Sequence, residues 1–191
     1  MKSPPPQLLG PPHDLVDKKY IFDVWAVNTT LQKAAVSVEV RLFDTQTGEL
    51  RQKMPLGNQI LGANRSMEMA EDCTIDNRTA VQAIMLHPDG RVVSRASDWP
   101  QPLKYVTLPS TYNIELQVLD GRVDITSDAP VKGLELYLAD EEREVRWDDN
   151  CVDVFPGDTY VVQAQGLVKG DDVRVRYYGS DWIPNRAVSN A

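Results

Sequence analysis

Two stretches place a carboxylate beside an indole: Ser97-Asp98-Trp99-Pro100 and Ser180-Asp181-Trp182-Ile183-Pro184. An exposed indole face stacks on an apolar ring face, and a neighbouring carboxylate accepts hydrogen bonds from hydroxyls. Trp99, Asp98 and Trp182 are therefore candidate substrate-contact residues for a sugar, with Trp99 the first choice. The competing reading is that a Trp near a domain junction packs an interface. Trp25, in the middle of a strand-like run, reads as core.

Paired carboxylates could serve as general acid and base, but the 28 Asp and Glu residues supply pairs everywhere and single out none. Asp148-Asp149-Asn150, with Asp153 and Asp158, offers oxygen ligands of the kind calcium takes, without the spacing of an EF-hand loop. Asx residues in that density favour a turn ahead of a strand. The two His and two Cys are far apart, which removes the usual zinc constellations, and neither metal nor cofactor is expected. Cys73 and Cys151 read as separate buried thiols rather than a disulfide. No Gly-x-Ser-x-Gly elbow, phosphate loop or zinc-protease helix motif occurs, so no catalytic residue is assigned.

These residues sit on strands. Tyr20–Val27 is aromatic and β-branched and ends in Asn28-Thr29-Thr30. Ala35–Asp44 alternates with period two, placing Val36, Val38, Val40 and Leu42 on one face, and Thr45–Gly48 turns it into a hairpin. Ala80–Leu86 and Arg91–Ala96 flank the turn His87-Pro88-Asp89-Gly90. In the second half Ile114–Leu119 and Arg122–Thr126 meet at Asp120-Gly121. Val131–Leu138, Val152–Val154, Thr159–Gln165 and Val173–Tyr178 follow. Short strands at such spacing predict an all-β chain of two consecutive immunoglobulin-like antiparallel β-sandwiches. Residues 1–17, with five prolines, predict a linker or arm. The first sandwich is expected over 18–105 and the second over 106–191, with Pro100–Pro109 as an extended connector.

The formal net charge of -8 disfavours nucleic acid as a partner. No apolar run approaches the roughly 18 residues of a membrane span, so a membrane is not an expected partner either. The N-terminus has no apolar signal-peptide core: either the chain stays inside the cell, or a secretory signal stood upstream. Three sequons, Asn28-Thr29-Thr30, Asn64-Arg65-Ser66 and Asn77-Arg78-Thr79, favour the secretory route. Asn28, Asn64 and Asn77 are thus candidate glycosylation sites; the alternative is that turn-forming residues coincide in loops.

Trp25–Thr30, Glu39–Asp44 leading to Thr47-Gly48, Ala96–Tyr105, Pro130–Leu134, Arg146–Asn150 and Asp153–Asp158 occur in this order over residues 19 to 180. In order and spacing they resemble the C-terminal region of β-mannosidases of glycoside hydrolase family two, above all the fungal ones. The resemblance implies an immunoglobulin-like or carbohydrate-binding-module-like domain followed by a terminal immunoglobulin-like domain. Both would follow a catalytic barrel and pack on it. The parent would remove terminal non-reducing β-D-mannose residues with retention.

The acid/base Glu of that family follows an Asn, and no Asn-Glu dipeptide occurs here. A barrel of about 250 residues cannot fit either. The expected role is a non-catalytic accessory region whose partner is the barrel of the parent enzyme or a mannose-containing glycan. A free-standing carbohydrate-binding protein and a pair of adhesive sandwiches are the alternatives. With Met1 directly before the linker, a fragment and a stand-alone accessory protein are equally open.

Overall fold

The computed structural model describes residues 19–140 and 142–180. The proline-rich stretch 1–17 and Trp182 lie outside them. The described chain is built of strands, with one 3-10 turn at Leu103–Tyr105.

The chain divides into two compact units, one of residues 1–42 and 51–107, the other of 43–50 and 108–191. A cut at residue 105 differs from this division in leaving Phe43–Leu50 with the first unit. The strands of the first unit are β1 (Tyr20–Asn28), β2 (Ala34–Asp44), β3 (Leu50–Leu61), β4 (Arg65–Ile75), β5 (Thr79–Leu86) and β6 (Val92–Asp98). They form a four-stranded sheet, β3-β2-β5-β6, and a two-stranded sheet, β1-β4. Alternation in β2 turns Val36, Val38, Val40 and Leu42 inward as its period requires, and all four are buried. Val24, Val38, Val40, Leu42, Ile75 and Val81 form the main cluster, and Ala26, Val36 and Leu61 a smaller one.

The second unit carries β7 (Ile114–Leu119), β8 (Arg122–Ser127), β9 (Val131–Leu138), β10 (Arg146–Trp147), β11 (Val152–Val154), β12 (Tyr160–Gln165) and β13 (Val173–Arg176). Its sheets run β10-β12-β8-β7 and β11-β9-β13. Val123, Ile125, Val131, Leu134, Val154 and Val162 are fully or almost fully withdrawn from solvent at its centre. Within this unit the Phe43 ring lies 5.5 Å from that of Phe155, tilted by 43°. Both units are immunoglobulin-like antiparallel sandwiches, as their strand spacing predicts.

Three expectations need correction. Trp25 is 55 % exposed rather than core. Its strand carries apolar residues on both faces, and the inward places belong to Phe22, Val24 and Ala26. The Pro100–Pro109 connector is not extended throughout, because a cis Gln101–Pro102 bond leads into the 3-10 turn. Both thiols are free, yet Cys151 is exposed and Cys73 half-buried. Cys151 sits at φ 62° in a surface turn, which keeps its side chain out of the core.

Candidate functional site

The sequence-predicted contact pair comes apart. Trp99 is 3 % exposed, so its ring offers no face to a sugar. Asp98, on the exposed end of β6, accepts a hydrogen bond from the Trp99 backbone N–H at 2.8 Å and so caps the strand end.

The sequons divide as well. Asn28 is 6 % exposed. Its Nδ2 donates to the carbonyls of Gln32 at 2.8 Å and Gly62 at 2.9 Å, and its Oδ1 accepts from the N–H and hydroxyl of Thr30. The amide nitrogen that would carry a glycan is occupied as a brace between the β1 end and the turn from β3 to β4. Asn77 is half-buried, and the hydroxyl of its sequon Thr79 is engaged by Asp76 and Arg51. Asn64, by contrast, is exposed in the turn between β3 and β4, at φ 48°, with Ser66 exposed nearby. Asn tolerates this left-handed conformation better than most residues.

The acidic turn of the second unit is consumed by its own backbone. Asn150 Oδ1 accepts from Leu136 N and its Nδ2 donates to Leu136 O, at 2.8 and 3.1 Å, replacing a strand against β9. Asp148 accepts from Gln163 N, and Asp149 from the Tyr160 hydroxyl. Asp153 accepts from Gly133 N and Lys132 Nζ, both at 2.8 Å. Carboxylates so placed replace missing ladder partners for exposed backbone N–H groups. Among the described residues no group of three or more His, Cys, Asp and Glu could hold a metal ion.

One surface remains with the make-up of a recognition site, and the sequence did not point to it. The outward positions of β1 are Ile21, Asp23, Trp25 and Val27, with exposures of 67 % for Ile21, 55 % for Trp25 and 56 % for Val27. At about 3.3 Å per residue the row is roughly 20 Å long. Leu31, 88 % exposed, lies in the turn that follows. Across the ladder on β4, Thr74 faces Ile21, Glu68 faces Trp25 and Ser66 faces Val27. Two register shifts in β4 leave the pairing in phase, so the outward residues of both strands stay on one side. The Asp72 N–H, at φ 53°, donates to Asp23 Oδ1 at 2.9 Å and fixes the distortion. Beneath it, burial and then the charges of Asp23 and Asp72 push the Cys73 thiol up, which keeps it protonated and unreactive. Alternation alone could not reveal this face, because Tyr20–Val27 is apolar on both sides.

A family model described as the Mannosidase Ig/CBM-like domain matches residues 21–105, which take in the strands of the first sandwich save Tyr20, the first residue of β1. Residues 21–105 are thus similar to that domain family. Among curated relatives, β-mannosidase B of Thermothelomyces thermophilus is 32 % identical over 175 residues, covering 86 % of this chain and 20 % of the relative. β-Mannosidase B of Neosartorya fischeri is 34 % identical over 161 residues, covering 78 % of this chain and 18 % of the relative. The chain thus spans about a fifth of these relatives and matches their C-terminal part. Among solved structures, a β-D-mannosidase from Dictyoglomus thermophilum superposes with a TM-score of 0.64 at 17 % identity, over 85 % of this chain and 22 % of that one. The exo-chitosanase CsxA of Amycolatopsis orientalis gives a TM-score of 0.56 at 15 % identity, over 83 % of this chain. The matched portion is the immunoglobulin-like, non-catalytic part of these enzymes, and the described residues form two sandwiches rather than a barrel.

Proposed function

We propose that this chain is the non-catalytic C-terminal accessory region of a β-mannosidase, packing against a catalytic part that removes terminal non-reducing β-D-mannose residues. The observation that carries this reading is the match of 86 % of the chain to one fifth of a β-mannosidase B. The chain's own polar clusters support it, because the acidic turn, Asn28 and Asp98 all serve backbone rather than a reacting centre.

The test has two arms. The purified 191-residue chain should release no p-nitrophenol from p-nitrophenyl β-D-mannopyranoside; measurable turnover would overturn the reading. Removing the aligned segment from the T. thermophilus enzyme should cost it activity and solubility. Full activity without that segment would equally count against an accessory role.

A second reading, glycan binding, draws support from Trp25, whose exposed ring lies opposite Glu68 and two residues from Asp23. Titration with mannobiose, followed by Trp fluorescence, should saturate in the wild type and not in Trp25→Ala if this face holds sugar. For glycosylation, Asn64 is the acceptor whose side chain the fold leaves accessible. Occupancy at Asn64 and not at Asn28, read by mass spectrometry after expression in a glycosylating host, is the expected pattern.

A further inference from the structure

The outer face of the β1-β4 sheet has the anatomy of a protein interface. A row of Ile21, Trp25 and Val27 forms its apolar centre, and Thr74, Asp72, Glu68 and Ser66 form a polar border along β4. Exposed apolar rows with a polar rim mark interaction sites, and Trp is the side chain most enriched where binding energy concentrates. The sandwich interior has no call on these residues, since Val24, Ala26, Ile75 and Met69 already fill the inner side of the same sheet.

We propose that this face is the docking surface for the rest of a β-mannosidase polypeptide, an inference that rests on the accessory-region reading. Three observations select that occupant. The relatives are about five times as long as the matched region, and the match lies at their C-terminal part, so the unmatched portion precedes β1 in the polypeptide. An attached partner arriving through the strand that bears the patch is held there at high effective concentration, and a modest apolar row then suffices. The patch centre is also aliphatic on both sides of the single indole. A sugar platform relies on ring faces with polar neighbours, whereas Ile and Val gain only by excluding water against another apolar surface. The acidic border, Asp23, Asp72 and Glu68, further calls for a partner surface with basic residues at its rim.

Hydroxyl-radical footprinting of Trp25, normalised to a reporter peptide, tests the proposal. It is read on the 191-residue chain alone and on a full-length hybrid in which this chain replaces the aligned segment of T. thermophilus β-mannosidase B. Oxidation of Trp25 should be at least about fivefold slower in the hybrid, as expected of a residue inside a water-excluding interface. Trp25→Glu with Val27→Glu should lower the yield of active hybrid about tenfold, while the urea midpoint of the isolated chain stays put because both residues are exposed.

An active hybrid whose Trp25 is as reactive as in the isolated chain overturns the docking surface and leaves the accessory reading standing. A soluble but inactive hybrid with Trp25 unprotected overturns both. Protection of Trp25 in the isolated chain that vanishes on dilution makes the occupant a second copy, and protection by mannobiose makes it a glycan; either result overturns the proposal. Should the hybrid be insoluble, the same footprint on the native T. thermophilus enzyme, at the strand aligned with β1, decides. Protection there supports the proposal and reactivity overturns it.

Discussion

Trp25 and Trp99 exchange the roles that their sequence surroundings suggest, and the exchange is measurable. Trp25→Ala removes a ring that is mostly in water and should change stability by no more than about 0.5 kcal/mol. Trp99→Ala empties a buried site and should cost about 3–5 kcal/mol. Urea unfolding monitored by far-UV circular dichroism separates the two, and equal losses would contradict the burial pattern. The polar braces behave like Trp99. Asn28→Ala removes the amide that donates to the carbonyls of Gln32 and Gly62 and accepts from Thr30, at a cost of about 1–3 kcal/mol. Replacing Asn150 by Ala frees both backbone groups of Leu136 and should cost a comparable amount, visible as faster amide exchange at Leu136. From the sequence Asn150 was recognisable as a turn former, but nothing local names Leu136 as its partner, because that bond spans 14 residues.

Among the elements, the period-two strands and the Gly-containing turns were legible in advance. β2 buries the four residues its alternation nominates, and both the His87–Gly90 and Asp120-Gly121 turns join antiparallel strands. β3 and β4 were not legible. Their residues mix polar and apolar types and are mostly exposed, and β4 carries two register shifts that break any simple alternation. The turn between β4 and β5 yields a pH prediction. Burial alone pushes the Asp76 carboxyl up, but hydrogen bonds from the Thr79 hydroxyl and Arg78 N–H, with the charge and bond of Arg51, hold it below its ordinary 3.8. A depressed carboxyl contributes stability that is fully present above that ordinary value and is lost as the pH falls through the lowered one. Asp76→Asn should therefore lower the urea midpoint near neutral pH, with a gap to the wild type that narrows only as the pH falls below 3.8 and through the lowered value. A constant gap across that range would show that the charge of Asp76 contributes nothing.

For the molecule as a whole, composition and strand spacing were enough to give two sandwiches, and motif order was enough to give the resemblance to the C-terminal part of β-mannosidases. Membership of the units was not readable, since contacts that reassign Phe43–Leu50 are distant in sequence. That segment belongs to the second unit, where Phe43 lies against the fully buried Phe155. A Cβ placed on Gly48, at φ 74°, would fall 2.1 Å from the Asp128 carbonyl oxygen. Gly48→Ala should consequently destabilise the chain by more than about 1 kcal/mol, from left-handed strain and overlap together. Residues 108–191 expressed without 43–50 should show a lower and broader thermal transition by calorimetry than the whole chain, because Phe155 loses its ring partner. Recombination between relatives inherits the same constraint. A terminal sandwich transplanted at residue 108 would arrive in its new host without the aromatic and the glycine that match it, so the inheritable module is a discontinuous one, and exchange succeeds only when both pieces travel together.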